Sequence, residues 1–134
     1  MSRDVNEVKD MVILNELQQE IDDVFIKIAD EFGLSKNEYL VMVALWDNGP
    51  MAMKDLDKFI DIKPYKRTRF FNNLVSKGWI SKERPSDDER TVIIHYNEEK
   101  AADKDKIVKV ACKAIKENRD NLRKHFEAVM SICD

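Results

Sequence analysis

The chain has 134 residues with 23 basic and 26 acidic side chains, a formal net charge of −3. It is 43% apolar and 37% charged, with three Gly, three Pro and two Cys. That length accommodates one domain with a single core, and the composition excludes a disordered chain, a loop-rich β sandwich and a disulfide scaffold. A negative total also argues against a nucleic-acid binder, an objection that only the distribution of charge can answer.

Val5–Phe32 places Val8, Val12, Leu17, Ile21, Val24, Phe25, Ile28 and Phe32 mostly three or four residues apart, which predicts a long amphipathic helix ended by Gly33. Ser35-Lys36-Asn37-Glu38 is a capping box that opens a second helix through Trp46, closed by Asn48-Gly49-Pro50. A short third helix is expected over Lys54–Ile60, with Leu56, Phe59 and Ile60 inward. Pro64 suits the first position of a fourth helix, which ends at Gly78. The period then changes. Trp79–Arg84 and Thr91–Tyr96 are β-rich runs flanking Pro85-Ser86-Asp87-Asp88-Glu89, which predicts a hairpin. Asn97 caps a last helix reaching about Ile132.

Helices joined by a tight turn and followed by a hairpin make a winged helix-turn-helix. The expected fold is therefore mainly α with a β-hairpin wing (α+β), one domain over 1–134. Residues 35–62 precede a recognition helix over 64–78, and the wing spans 79–96. The helices over 5–32 and 97–132 are longer than the module needs. Their leftover apolar stripes are most economically buried in a homodimer.

Charge counted by segment is the informative quantity. Residues 1–62 hold 6 basic and 14 acidic side chains (−8), residues 63–84 hold 7 and 1 (+6), and residues 85–134 hold 10 and 11 (−1). The positive charge thus falls on the fourth helix and the first wing strand, where a winged helix meets DNA. The bland alternative is a solvated basic face.

Successive 100° steps put Phe71, Leu74 and Val75 on the core side of that helix, with Thr68 flanking. Tyr65, Lys66, Arg69, Asn72, Asn73 and Ser76 lie opposite. Arg grips guanine bidentately, Asn grips adenine, and Lys and Ser hold phosphates; the Asn pair also fits plain exposed polar residues. Lys63 and Tyr65 sit at the helix start, where backbone N–H groups favour a phosphate. Arg67 falls near the core edge, placed for a phosphate or an internal acid. From the wing, Lys82, Arg84, Asp88 and Arg90 complete the candidate DNA contacts. An acid there can brace the Arg90 guanidinium for a narrow minor groove; a plain acidic turn and a cation site are the other readings.

The runs Lys63-Pro64-Tyr65-Lys66-Arg67-Thr68-Arg69, Asn72-Asn73-Leu74-Val75, Trp79-Ile80, Lys82-Glu83-Arg84-Pro85 and Asp87–His95 resemble the SarA branch of the MarR superfamily. The resemblance covers most of the chain and is most specific over 63–95. It implies a dimeric winged-helix regulator of virulence genes in Gram-positive bacteria, repressing or activating through AT-rich promoter DNA. It also implies that Thr68-Arg69 is the recognition-helix pair, that Asp88 and Arg90 are the wing pair, and that Leu74 and Gly78 are structural.

Some relatives sense oxidants through a Cys in the first helix, but here no Cys precedes residue 112. Cys112 and Cys133 lie about 30 Å apart along one expected helix and cannot pair within it. They are expected in a core or an interface, with a disulfide between subunits left open. His95 and His125 lack metal-ligand spacing, and no phosphate loop or nucleophile elbow occurs. The sequence therefore predicts no enzyme, no cofactor, no metal and no obligatory small molecule. Without an 18-residue apolar run or a basic leader, a cytoplasmic protein with no membrane partner is expected. The competing functions are a winged-helix protein-interaction module and a ligand- or redox-responsive sensor of the MarR type.

Overall fold

Capping chemistry decides where the second helix starts. The Ser35 hydroxyl accepts from the Glu38 N–H at 3.1 Å, and the Glu38 carboxylate accepts from the Ser35 N–H at 2.9 Å. The structure, a computed structural model, describes residues 3–88 and 90–132. Glu89 and Cys133, both singled out from the sequence, lie outside the described residues.

The elements run α1 (Arg3–Asp30), α2 (Lys36–Asn48), β1 (Met51–Ala52), α3 (Met53–Leu56), α4 (Arg67–Ser76), β2 (Ile80–Glu83), β3 (Ile93–Tyr96) and α5 (Ala101–Met130). Turns of 3₁₀ helix at Asp57–Phe59, Pro64–Lys66 and Glu98–Lys100 follow α3, lead into α4 and lead into α5. The chain is thus mainly helical with a small antiparallel sheet, as expected. The sheet is larger than the expected hairpin: its order is β1-β3-β2, with Met51 opposite Ile94 and Ile80 opposite Tyr96.

Two compact units result, Met1–Ile28 with Ile107–Asp134, and Ala29–Lys106. In the first, α1 and α5 run antiparallel, since Lys27 pairs with Glu117 at 3.2 Å while His125 Nδ1 bonds Glu20. Val24, Ile28, Ile107 and Ala114 are buried there, but Met11, Leu14, Ile115, Phe126 and Met130 stay at least half exposed. Cys112 is free and exposed, which overturns its placement in a core; a 30-residue helix packed on one side leaves its other positions in water.

In the second unit Val41, Met42, Leu45, Leu56, Phe71, Leu74 and Ile94 are fully buried. Each such side chain stabilises by about 1.5–3 kcal/mol. Phe71 and Leu74, three residues apart, hold α4 to this core. Val75 does not join them: it lies at the rim of that face and is 39% exposed, contrary to expectation. The third helix also differs from expectation, its α-helical part ending at Leu56 and a 3₁₀ turn carrying it to Phe59. Ile60 takes extended backbone, which stops the helical turn and leaves Phe59 43% exposed.

Gly78 makes the turn from α4 into the wing at φ 82, a left-handed conformation that costs a side-chain-bearing residue strain. Asn97 closes the wing's base. Its amide donates to the Gly78 carbonyl at 2.8 Å, and its N–H donates to the Trp79 carbonyl at 2.9 Å. Its side-chain oxygen caps the following turn by accepting from the Glu99 N–H.

Candidate nucleic-acid interface

The fully buried pair Phe71 and Leu74 fixes which way α4 faces. Tyr65, Lys66, Arg69, Asn72, Asn73 and Ser76 are all exposed, as is Lys63 before them. The predicted polar face is therefore in water. Pro64 starts this stretch as a 3₁₀ turn, with the Lys66 N–H donating to the Lys63 carbonyl at 2.9 Å, so the α-helix proper begins at Arg67. Tyr65 is 76% exposed with the Lys66 ammonium 5.8 Å from its ring centre, which presents an aromatic face and a cation together.

Two basic residues of the positive segment turn toward acids of the same unit. Arg67 is half-buried and ion-paired with Asp57, the internal-acid alternative for that residue. Lys77 donates to Glu38 at 2.7 Å and to the Gly33 carbonyl at 2.9 Å, which fastens the end of α4 to the start of α2. The outward positive charge on this face comes instead from Lys63, Lys66, Arg69, Lys82, Arg84 and, on the wing, Arg90, all exposed.

A hydrogen bond ties the wing to α4: the Lys82 ammonium donates to the Asn72 side-chain oxygen at 2.6 Å. Burial, and then the Arg84 charge, hold the Lys82 amine below its ordinary pKa. The Asn72 amide oxygen is thereby engaged by the wing. Further along the same hairpin, His95 Nε2 lies 2.8 Å from a Glu83 carboxylate oxygen and joins β3 to β2.

At the wing tip Asp88 acts on the Arg90 backbone and the Thr91 hydroxyl rather than on the Arg90 guanidinium. Its carboxylate accepts from the Arg90 N–H at 3.0 Å and from the Thr91 hydroxyl at 2.5 Å. The short carboxylate reaches its own following backbone most easily, as Asp does in turns. The Thr91 hydroxyl first, and the Arg90 N–H second, hold the Asp88 carboxyl below the usual carboxylate range.

Between the wing tip, β1 and the start of α4 lies a recess of about 430 Å³ lined in part by Lys54, Arg67, Asp88, Arg90 and Thr91. Lys54 was expected only as the start of the third helix, with no part in the interface. It reaches this place through β1, a two-residue strand too short to leave a periodic pattern. Among the described residues no His, Cys, Asp and Glu group suits a metal ion, and no helix is long and apolar enough to cross a membrane.

The family model for transcriptional regulators SarA/Rot matches residues 23–107, which contain α2, α4 and the whole wing. The chain belongs to the SarA/Rot family of transcriptional regulators. The HTH-type transcriptional regulator rot of Staphylococcus aureus is 40% identical to this SarA/Rot member over 119 residues, 89% of this chain and 72% of that protein. A putative MarR-like transcription regulator from Bacillus cereus has a similar structure, with a TM-score of 0.75 at 16% identity, covering 87% of this chain and 84% of the other. Overoxidized AbfR bound to DNA has a TM-score of 0.69 at 17% identity and covers 97% of both chains; AbfR is a protein of Staphylococcus epidermidis. At such identities the likeness is one of fold, the MarR-like winged helix. This SarA/Rot protein is thus a transcriptional regulator built on a MarR-like winged helix.

Proposed function

We propose that the protein binds AT-rich promoter DNA as a homodimer in the cytoplasm and controls virulence genes by blocking or assisting polymerase, with no enzymatic step. The observation that carries this reading is a row of exposed side chains, Lys63, Tyr65, Lys66, Arg69, Asn73 and Ser76: the last three lie on α4, whose Phe71 and Leu74 are fully buried, and the first three lie in the residues that lead into it. That row is a readable surface at the width of one helix. Each α4 enters a major groove, where Arg69 and Asn73 meet base edges and Lys63, Lys66 and Ser76 meet phosphates. Arg84 and Arg90 carry the wing toward the neighbouring minor groove, whose narrow AT-rich form concentrates negative potential.

The dimer is supported by the apolar residues left in water on α1 and α5, Met11, Leu14, Ile115, Phe126 and Met130 among them. Exposed stripes of that kind on long helices are the common material of two-fold interfaces. A two-fold dimer then requires half-sites about one helical turn apart, or a multiple of that spacing.

The test is fluorescence anisotropy on AT-rich duplexes with the full chain. Arg69→Ala is expected to cost about 5- to 150-fold in affinity and to relax sequence preference. Arg90→Ala should weaken binding chiefly where the flanks are AT-rich. Parent-like binding by both variants refutes the assignment.

A further inference from the structure

We infer that Lys54 and Arg67 form a clamp that holds one backbone phosphate of the bound duplex between the recognition helix and the wing. This inference rests on the DNA-binding reading above. Its starting point is the short strand β1. Ala52 pairs with Ile93, and the Met53 N–H donates to the Val92 carbonyl at 2.8 Å, so the start of α3 is bonded to the wing strand itself. Lys54 is the next residue. Its backbone is therefore carried at a fixed offset from Arg90 and Thr91, and it lines the same recess.

The chemistry of the recess favours an anion. Among the described residues that line it, Lys54, Arg67 and Arg90 are cationic and Asp88 is acidic, and the Asp88 oxygens already accept from the Arg90 N–H and the Thr91 hydroxyl. Arg67 is paired with Asp57. A guanidinium carries five N–H donors, more than one carboxylate occupies, so it can serve a second anion. Lys54 and Arg90 are exposed. Bonds at Asp88 and at β1 hold the segments that carry these cations, which reduces the ordering cost of gripping a ligand.

Size identifies the source of the phosphate. A recess of about 430 Å³ is far roomier than a small inorganic anion needs. Ala52, Met53 and Val92 add apolar wall beside the cations. A phosphodiester with its flanking sugars matches both the room and the mixed lining. The position matches as well, since the strand running from the groove that α4 enters to the groove that the wing enters must pass between them.

The experiment uses the full chain and its Lys54→Gln and Lys54→Arg variants, with an AT-rich and a GC-rich duplex of equal length. Binding is measured over a salt series. Removing one phosphate contact lowers the log–log salt slope by about 0.9, so a fourfold rise in salt should cost the parent about threefold more than Lys54→Gln. The loss at low salt should be alike on both duplexes, and Lys54→Arg should restore the slope. A neutral methylphosphonate at one backbone position should weaken the parent more than it weakens Lys54→Gln, which keeps only the Arg67 contact to that phosphate. Parent-like slope and affinity for Lys54→Gln, while the parent binds both duplexes, overturn the clamp and leave the DNA reading standing. A parent that binds neither duplex overturns both. Inorganic phosphate that displaces duplex from the parent at far lower concentration than from Lys54→Gln would make this a free-anion pocket and overturn the DNA assignment of the clamp.

Discussion

Replacing Lys77 with Met removes one charge from the basic segment while leaving the outward face of α4 intact. The Lys77 ammonium lies 2.7 Å from the Glu38 carboxylate and 2.9 Å from the Gly33 carbonyl. The Glu38 side chain is 7% exposed and that of Lys77 is 40% exposed. A hydrogen bond to a charged group contributes about 1.5–3 kcal/mol, and solvent screening of the half-exposed ammonium puts this one at the lower end, about 1.5–2 kcal/mol. Unfolding entropy near 60 °C is about 2.1 cal/mol/K per residue, so for a chain of this length the loss corresponds to about 5–7 °C in Tm. Calorimetry measures that shift, and a salt series on duplex DNA measures the other half of the claim. Because Lys77 faces Glu38 and not the duplex, its removal should leave the salt slope unchanged. Glu38→Gln combined with Lys77→Met should cost less than the two single changes added together. A Lys77→Met protein with parent-like Tm and a salt slope lower by about 0.9 would refute the inward assignment.

Two neighbouring asparagines should separate cleanly. Asn73→Ala is expected to reduce discrimination between A·T and G·C at one position by about 1–3 kcal/mol, whereas Asn72→Ala, whose oxygen holds Lys82, should change it by about threefold or less; competition binding with single-base-substituted duplexes checks both. The Asp88 brace has a defined acid limit. Its folded pKa is lowered, so its contribution is fully present above the unfolded carboxylate value of about 3.9 and is lost as pH falls through the lower folded value. Thr91→Val removes the main cause and should move the Asp88 titration upward in a carboxyl NMR experiment, and an unmoved titration would show that the hydroxyl is not the brace.

Local chemistry was legible from residues close together in the chain. The capping box at Ser35–Glu38, Pro64 at the head of the recognition segment, the change of period at Trp79 and the Asn97 cap all depend on neighbours within a few positions, and the structure bears them out. So does the side of α4 that meets water, apart from Val75 at its rim. The concentration of positive charge in residues 63–84 was likewise countable, and it answers the objection raised by a net charge of −3.

Tertiary structure decided which of those charges face outward. Lys77 meets Glu38 thirty-nine positions away, Arg67 meets Asp57, and Asn72 meets Lys82 across the turn into the wing. Met51 and Ala52 become a strand because Ile94 and Ile93 offer them hydrogen-bonding partners, and that pairing brings Lys54 to the wing. A helix or a cap is specified by bonds between neighbours, so its signal stands in the order of residues. A two-residue strand or an ion pair across the fold is specified by proximity that exists only once the core has formed.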